Sequence, residues 1–130
     1  MADTLDERFG RGLRGARILV MGVAYKKNVD DIRESPSLRL MEMIEARGAT
    51  ADFFDPHVAQ INGTREHPTL NYRHGVAWDV AEITKYDAVL IATDHDAVDY
   101  AALVEAAALV IDTRNAVGKA GVVSAKVVRA

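Results

Sequence analysis

Apolar and polar positions along this chain fall into blocks of two kinds. Arg17-Ile18-Leu19-Val20-Met21-Gly22-Val23 is a nearly unbroken apolar run of strand length, the pattern of a parallel strand covered on both faces. Over residues 36–47 the apolar side chains Leu38, Leu40, Met41 and Ile44 recur at helical spacing, and Gly48 follows as a stop. Ser35-Pro36 supplies the start. The serine hydroxyl can accept from free first-turn amides, and proline fits the first helical position, where its missing N–H would be unpaired anyway. The same reading predicts strands over 50–54, 87–92 and 108–111, helices over 78–84 and 98–106, and a last short strand at Lys126-Val127-Val128. Strand and helix alternating in this way require right-handed crossovers. The predicted fold is therefore α/β: a three-layer Rossmann-like domain with a mainly parallel sheet flanked by helices.

Two stretches break the rhythm. Residues 1–14 are polar and glycine-punctuated and read as a linker or terminal extension, leaving 15–130 as the domain. Residues 55–75 contain Asn62-Gly63, His67-Pro68 and His74-Gly75, all turn signals. A loop that long in a compact domain predicts mobility or an unrecognised element, with Thr69-Leu70-Asn71-Tyr72 as the candidate strand.

Composition narrows the chemistry. A chain of 130 residues is one domain, long enough to bury a core. Lys+Arg 16 against Asp+Glu 19 leaves a net charge of -3. That balance argues against nucleic acid or a membrane surface as partner, so any anion site must be local. With no cysteine there is no disulfide framework, thiolate ligand or thiol nucleophile. No apolar segment nears the roughly 20 residues that span a bilayer, and residues 1–15 are too charged for a secretory signal. A soluble cytoplasmic protein is the expectation.

Charged groups concentrate in the loop after the first strand, where Tyr25, Lys26, Lys27, Asp30, Asp31, Arg33 and Glu34 lie between Gly22 and Ser35. The position suggests a dinucleotide site, but that fingerprint needs G-x-G-x-x-G so that a pyrophosphate can approach the backbone. Here Gly22 stands alone. Asp55, at the end of the second strand, imitates the ribose-binding acid but precedes Pro56. No cofactor is therefore expected on this domain. Lys26 would instead point into the crevice where open α/β sheets bind ligands, its flexible ammonium suited to a phosphate oxygen. The alternative is that Lys26 and Lys27 are solvated and pair with Asp30 and Asp31. Arg33 could clamp a substrate or tie the loop to Asp31 and Glu34, and its closeness to the Ser35 cap favours the structural role.

Arg114 follows Ala108-Leu109-Val110-Ile111 and Asp112-Thr113, again at a strand's carboxyl end. It shares the edge of Lys26 if all strands run parallel; the alternative is bonding to nearby loop carbonyls. Asp94-His95-Asp96 invites an acid–base or metal reading. Yet no second histidine lies at helical spacing, no serine nucleophile accompanies it, and His57, His67 and His74 are scattered through 55–75. Neither a metal site nor a catalytic residue is expected.

In order along the chain, Gly22-Val23-Ala24-Tyr25-Lys26, Asp31-Ile32-Arg33-Glu34-Ser35-Pro36, Phe53-Phe54-Asp55-Pro56, Thr93-Asp94-His95 and Asp112-Thr113-Arg114-Asn115 resemble the C-terminal domain of the nucleotide-sugar 6-dehydrogenases. This is the UDP-glucose and GDP-mannose dehydrogenase family, and the resemblance covers roughly residues 14–128. It implies that Lys26, with Tyr25 packed beside it, helps to hold the UDP part of the substrate and that Arg114 reaches the same substrate. Asp31, Arg33, Glu34 and Ser35 would then shape the loop. Tyr25 and the two later motifs look most like the UDP-N-acetylhexosamine branch. The resembled enzymes oxidise a nucleotide sugar at C6 from alcohol to carboxylate with two NAD, through a catalytic cysteine. Neither that cysteine nor the glycine-rich NAD domain is found here. The resemblance thus implies a UDP-binding domain not catalytically competent alone, partnered by a UDP-sugar and by the NAD-binding and central domains of the same polypeptide. Two other readings stay open: a stand-alone module sensing UDP-sugars, and a structural domain for oligomer assembly, with a homodimer formed through exposed apolar surface.

Overall fold

A computed structural model describes residues 15–24, 36–61, 68–122, 124 and 126–129. Strands β1 (Arg17–Met21), β2 (Thr50–Phe54), β3 (Ala88–Ile91), β4 (Val110–Asp112) and β5 (Val127–Arg129) form one sheet in the order β2-β1-β3-β4-β5. Every neighbouring pair is parallel. Between them run helices α1 (Pro36–Ala46), α2 (Val80–Ile83), α3 (Tyr100–Ala106) and α4 (Ala116–Lys119). The predicted α/β architecture is what the chain adopts.

Side chains of a strand alternate between faces, so β1 supplies both cores. Ile18 and Val20 join Leu38, Met41 and Ile44 of α1, together with Val58, Ile61 and Leu70 from the long connection after β2. Leu19 and Met21 face the other way, against Ile83 of α2, Leu103 and Val104 of α3 and Val117 of α4. Each fully buried aliphatic side chain of this kind contributes roughly 1.5–3 kcal/mol. The central strands are apolar throughout because both faces are covered.

Local chemistry sets the ends. Gly48, at φ +87, closes α1, with the amide of Ala49 donating to the carbonyl of Ile44. Asp79 and Asp99 cap α2 and α3 by accepting from the amides of Ala81 and Ala102. These caps explain why the helices begin two residues inside the predicted 78–84 and 98–106 segments. β1 stops at Met21 rather than Val23 because Gly22 turns the backbone to φ +91.

The candidate strand Thr69-Leu70-Asn71-Tyr72 is not a strand. Pro68–Leu70 forms a 3-10 turn, and Tyr72, at φ +70, reverses the chain. Proline at its head removes a ladder donor, and the turn buries Leu70 completely. The pairing that does form is an isolated antiparallel bridge between Gln60 and His74. Just beyond it, the amide of Val76 donates to the carbonyl of Phe53 and Gly75 packs under the Phe53 ring. This connection therefore covers part of the free edge of β2. Helix α4 had no periodic signal, since Ala-Val-Gly-Lys is too short to show one. Among the described residues no helix is long and apolar enough to cross a membrane.

Candidate functional site

The chain runs from β1 outward to β2, then returns across β1 to β3 and onward to β4 and β5. The connections leaving β1 and β3 therefore diverge, and this switch point is where open α/β sheets form a ligand crevice at the carboxyl ends of their strands. Gly22 to Ala24, Asp55, Ala92 to Asp96 and Thr113 to Asn115 all follow strands on that edge.

The two diverging connections touch closely at their roots. A Cβ on Gly22 would lie 2.6 Å from the Thr93 Cβ and 2.7 Å from its carbonyl oxygen, so glycine is required both by space and by φ +91. The Met21 carbonyl accepts from the amides of Ala92 and Thr93, and the Thr93 hydroxyl donates to the Ala24 carbonyl at 2.9 Å.

Beneath them sits a buried carboxylate–imidazole pair. Asp55 Oδ2 accepts from the amides of Val23 (2.8 Å) and Ala24 (3.1 Å) and from His95 Nε2 (2.8 Å), while Oδ1 accepts from the His57 amide (2.8 Å). A carboxylate only accepts, so Nε2 carries the proton. His95 is fully buried, and the His57 ring meets it edge-on with centroids 4.8 Å apart. Burial pushes the Asp55 carboxyl up, but the bond from His95 and the amides of His57 and Val23 outweigh it and hold the group below its ordinary value. Tyr100 donates its hydroxyl to the His95 carbonyl at 2.8 Å. Burial, then the charges of Asp94 and Asp112, raises that phenol above its ordinary value, so it stays a donor.

Arg114 is placed by a second buried aspartate. Asp112 Oδ1 accepts from the amides of Arg114 (3.0 Å) and Ala116 (3.1 Å), and Oδ2 accepts from that of Val117 (3.0 Å), satisfying the free first-turn donors of α4. The Thr113 hydroxyl donates to the Ile91 carbonyl at 2.6 Å. Arg114 itself is exposed, and its Nε donates to the Ala92 carbonyl at 3.0 Å. That bond draws the side chain from β4 back toward β3, the switch-point side. No carboxylate among the described residues pairs with its guanidinium, whose terminal donors can meet an anion.

On the far side of the β3 connection, between α3 and α4, lies a cavity of about 370 Å³ with Val98, Tyr100 and Ala116 in its lining and Asp94, Asp96 and Asp99 around it. Lys119, the cation among its described lining residues, is paired with Asp94 at 3.1 Å. Such a rim is unfavourable to a diphosphate. Among the described residues no group of three or more histidine or acidic side chains could hold a metal ion.

The family model of the UDP-glucose/GDP-mannose dehydrogenase family, UDP binding domain, matches residues 19–119. The chain belongs to this family. Similar proteins include the UDP-glucose 6-dehydrogenase AglM of Haloferax volcanii, 39% identical over 103 residues, which are 79% of this chain and 22% of that protein. A UDP-N-acetyl-D-mannosamine dehydrogenase of Methanococcus maripaludis is 34% identical over 93 residues, 72% of this chain and 19% of its own length. Among solved structures, a UDP-D-ManNAc dehydrogenase from Pyrococcus horikoshii superposes with a TM-score of 0.65 at 27% identity, covering 88% of this chain and 25% of that one. The chain thus spans about a fifth to a quarter of the length of these relatives.

Within this family domain the structure brings Arg114 to the switch-point edge, and its Nε does bond a loop carbonyl. Tyr25, Lys26, Asp31, Arg33, Glu34 and Ser35 lie outside the described residues. The Asp55–His95 pair was not foreseen. Asp55 and His95 each follow an apolar strand, but β1 lies between β2 and β3, so no sequence periodicity links them. Their one shared signal is a carboxylate and an imidazole at the same sheet edge.

Proposed function

We propose that residues 15–130 are the UDP-binding domain of an NAD-dependent nucleotide-sugar 6-dehydrogenase, which converts a UDP-sugar to a UDP-uronic acid when joined to its NAD-binding and central domains. The carrying observation is Arg114, anchored on the Ala92 carbonyl at the switch point with no described carboxylate on its guanidinium. Lys26, with Tyr25 beside it, is the second group assigned to the diphosphate, while Asp31, Arg33, Glu34 and Ser35 are assigned to shaping the loop that carries them. Two cations on one edge suit a diphosphate on an otherwise acidic domain. UDP is what the names of the cited glucose and N-acetylmannosamine relatives share. Binding it at a distance from the reacting carbon supplies orientation to the chemistry carried out elsewhere.

NAD is assigned to the rest of the polypeptide. A fingerprint glycine leaves open space for a pyrophosphate, whereas the space over Gly22 is filled by Thr93. Asp55, the apparent ribose acid, is turned inward onto three amides and His95. Calorimetric titration of UDP and of NAD into the chain tests this reading. UDP should give saturable heat and NAD none; saturable NAD binding with silent UDP would reverse the assignment.

A further inference from the structure

The Asp55–His95 pair is buried away from the surface, and the fold spends two ionisable side chains on it. Burying such groups is unfavourable unless their bonds are well formed, and apolar side chains would fill the same space without that penalty. What an apolar pair could not do is hold backbone. Asp55 fixes the amides of Val23 and Ala24, immediately before Tyr25 and Lys26 in sequence. His95 ends the segment in which the Thr93 hydroxyl reaches the Ala24 carbonyl and the Ala92 carbonyl takes Arg114 Nε. One contact of 2.8 Å therefore sets the root of the β1 connection and, three residues along the β3 connection, the carbonyl that aims Arg114.

We infer that His95 and Asp55 are positioning residues for the UDP site, acting through the backbone of residues 22–24 and 92–93 and never contacting the nucleotide. The inference rests on the UDP reading given above. Functional groups must be held within about 0.5 Å of their productive geometry by the residues that support them, so loosening that support weakens a site without touching its ligand. What the contact with Asp55 requires of position 95 is a donor at the place of Nε2. Glutamine can supply one from its side-chain amide; leucine fills the volume without it.

The test is UDP titration of the wild-type chain, His95→Gln and His95→Leu, with amide NMR of Val23 and Ala24. His95→Leu, at a temperature where its circular dichroism is native, should bind UDP at least about tenfold more weakly than wild type, and His95→Gln should stay within about threefold. Folded His95→Leu with wild-type affinity would mean that the pair serves stability alone, and would overturn the inference. Should His95→Leu not fold, Thr93→Val takes its place. It keeps the shape and removes only the hydroxyl given to Ala24, and should weaken UDP by about threefold or more; unchanged affinity there also overturns the inference. A wild-type chain that ignores UDP contradicts the proposed function instead. The positioning claim is then decided by the Val23 and Ala24 amide signals, which must move in the folded variant while those of α1 stay in place; unmoved signals reject it.

Discussion

Asp55 and Asp94 are both aspartates just past the carboxyl ends of strands, and the fold uses them in opposite ways. Asp55 is buried, accepts from three amides and an imidazole, and is held ionised below its ordinary value. Asp94 lies on the rim of the cavity beside α3, where its partner Lys119 is 61% exposed. The first carboxylate organises backbone; the second contributes a field. Of these two described aspartates, one is spent inward and the other stays on the α3 side, while Arg114 bonds the Ala92 carbonyl at the end of β3. Such a division is what the proposed anion site on a domain of net charge -3 requires.

The comparison breaks most visibly if Asp55 is removed. Asp55→Ala leaves His95 and the amides of Val23, Ala24 and His57 without their acceptor, and should lower the unfolding free energy by about 3–5 kcal/mol in a denaturant titration. A loss as small as that of a surface aspartate would erase the distinction. Next comes Gly22→Ala, which adds left-handed strain to a Cβ contact of 2.6 Å with Thr93 and should cost about 2–4 kcal/mol by the same assay.

Asp55→Asn sharpens the comparison through pH. Because folding depresses the Asp55 carboxyl from 3.8, its ionised form stabilises the native state at neutral pH, and that contribution is lost as pH falls through the folded value. The stability gap between wild type and Asp55→Asn, about 1–3 kcal/mol near neutrality, should hold down to about pH 4 and close below it. A gap that widens on acidification would show the charged form to be unfavourable. Smallest is Lys119→Ala. Its exposed pair with Asp94 should contribute less than about 1 kcal/mol and fade in high salt, and a larger, salt-insensitive loss would mean that the cavity rim is organised like the junction.

The strands were legible because β1, β3 and β4 are buried on both faces, so their apolar runs had no competing explanation. Arg114 was legible for the same reason, its place at a strand's carboxyl end following from parallel topology. What escaped the sequence depends on through-space partners. α4 exists because Asp112 satisfies its first turn, and the turn at Pro68–Leu70 because Leu70 finds a buried seat. His95 read as a histidine between two aspartates. Its partner is a third aspartate, Asp55, forty positions away across a strand.

The central claim, that the anion site lies at the switch point and is held by Arg114, has one direct measurement: calorimetric titration of UDP into the wild-type chain and Arg114→Ala, with Lys119→Ala as the control on the cavity side. Arg114→Ala should bind at least about tenfold more weakly, the loss of a charge-assisted contact, while Lys119→Ala binds as wild type. Undiminished affinity in Arg114→Ala, or a loss confined to Lys119→Ala, would place the anion in the α3–α4 cavity and contradict the account.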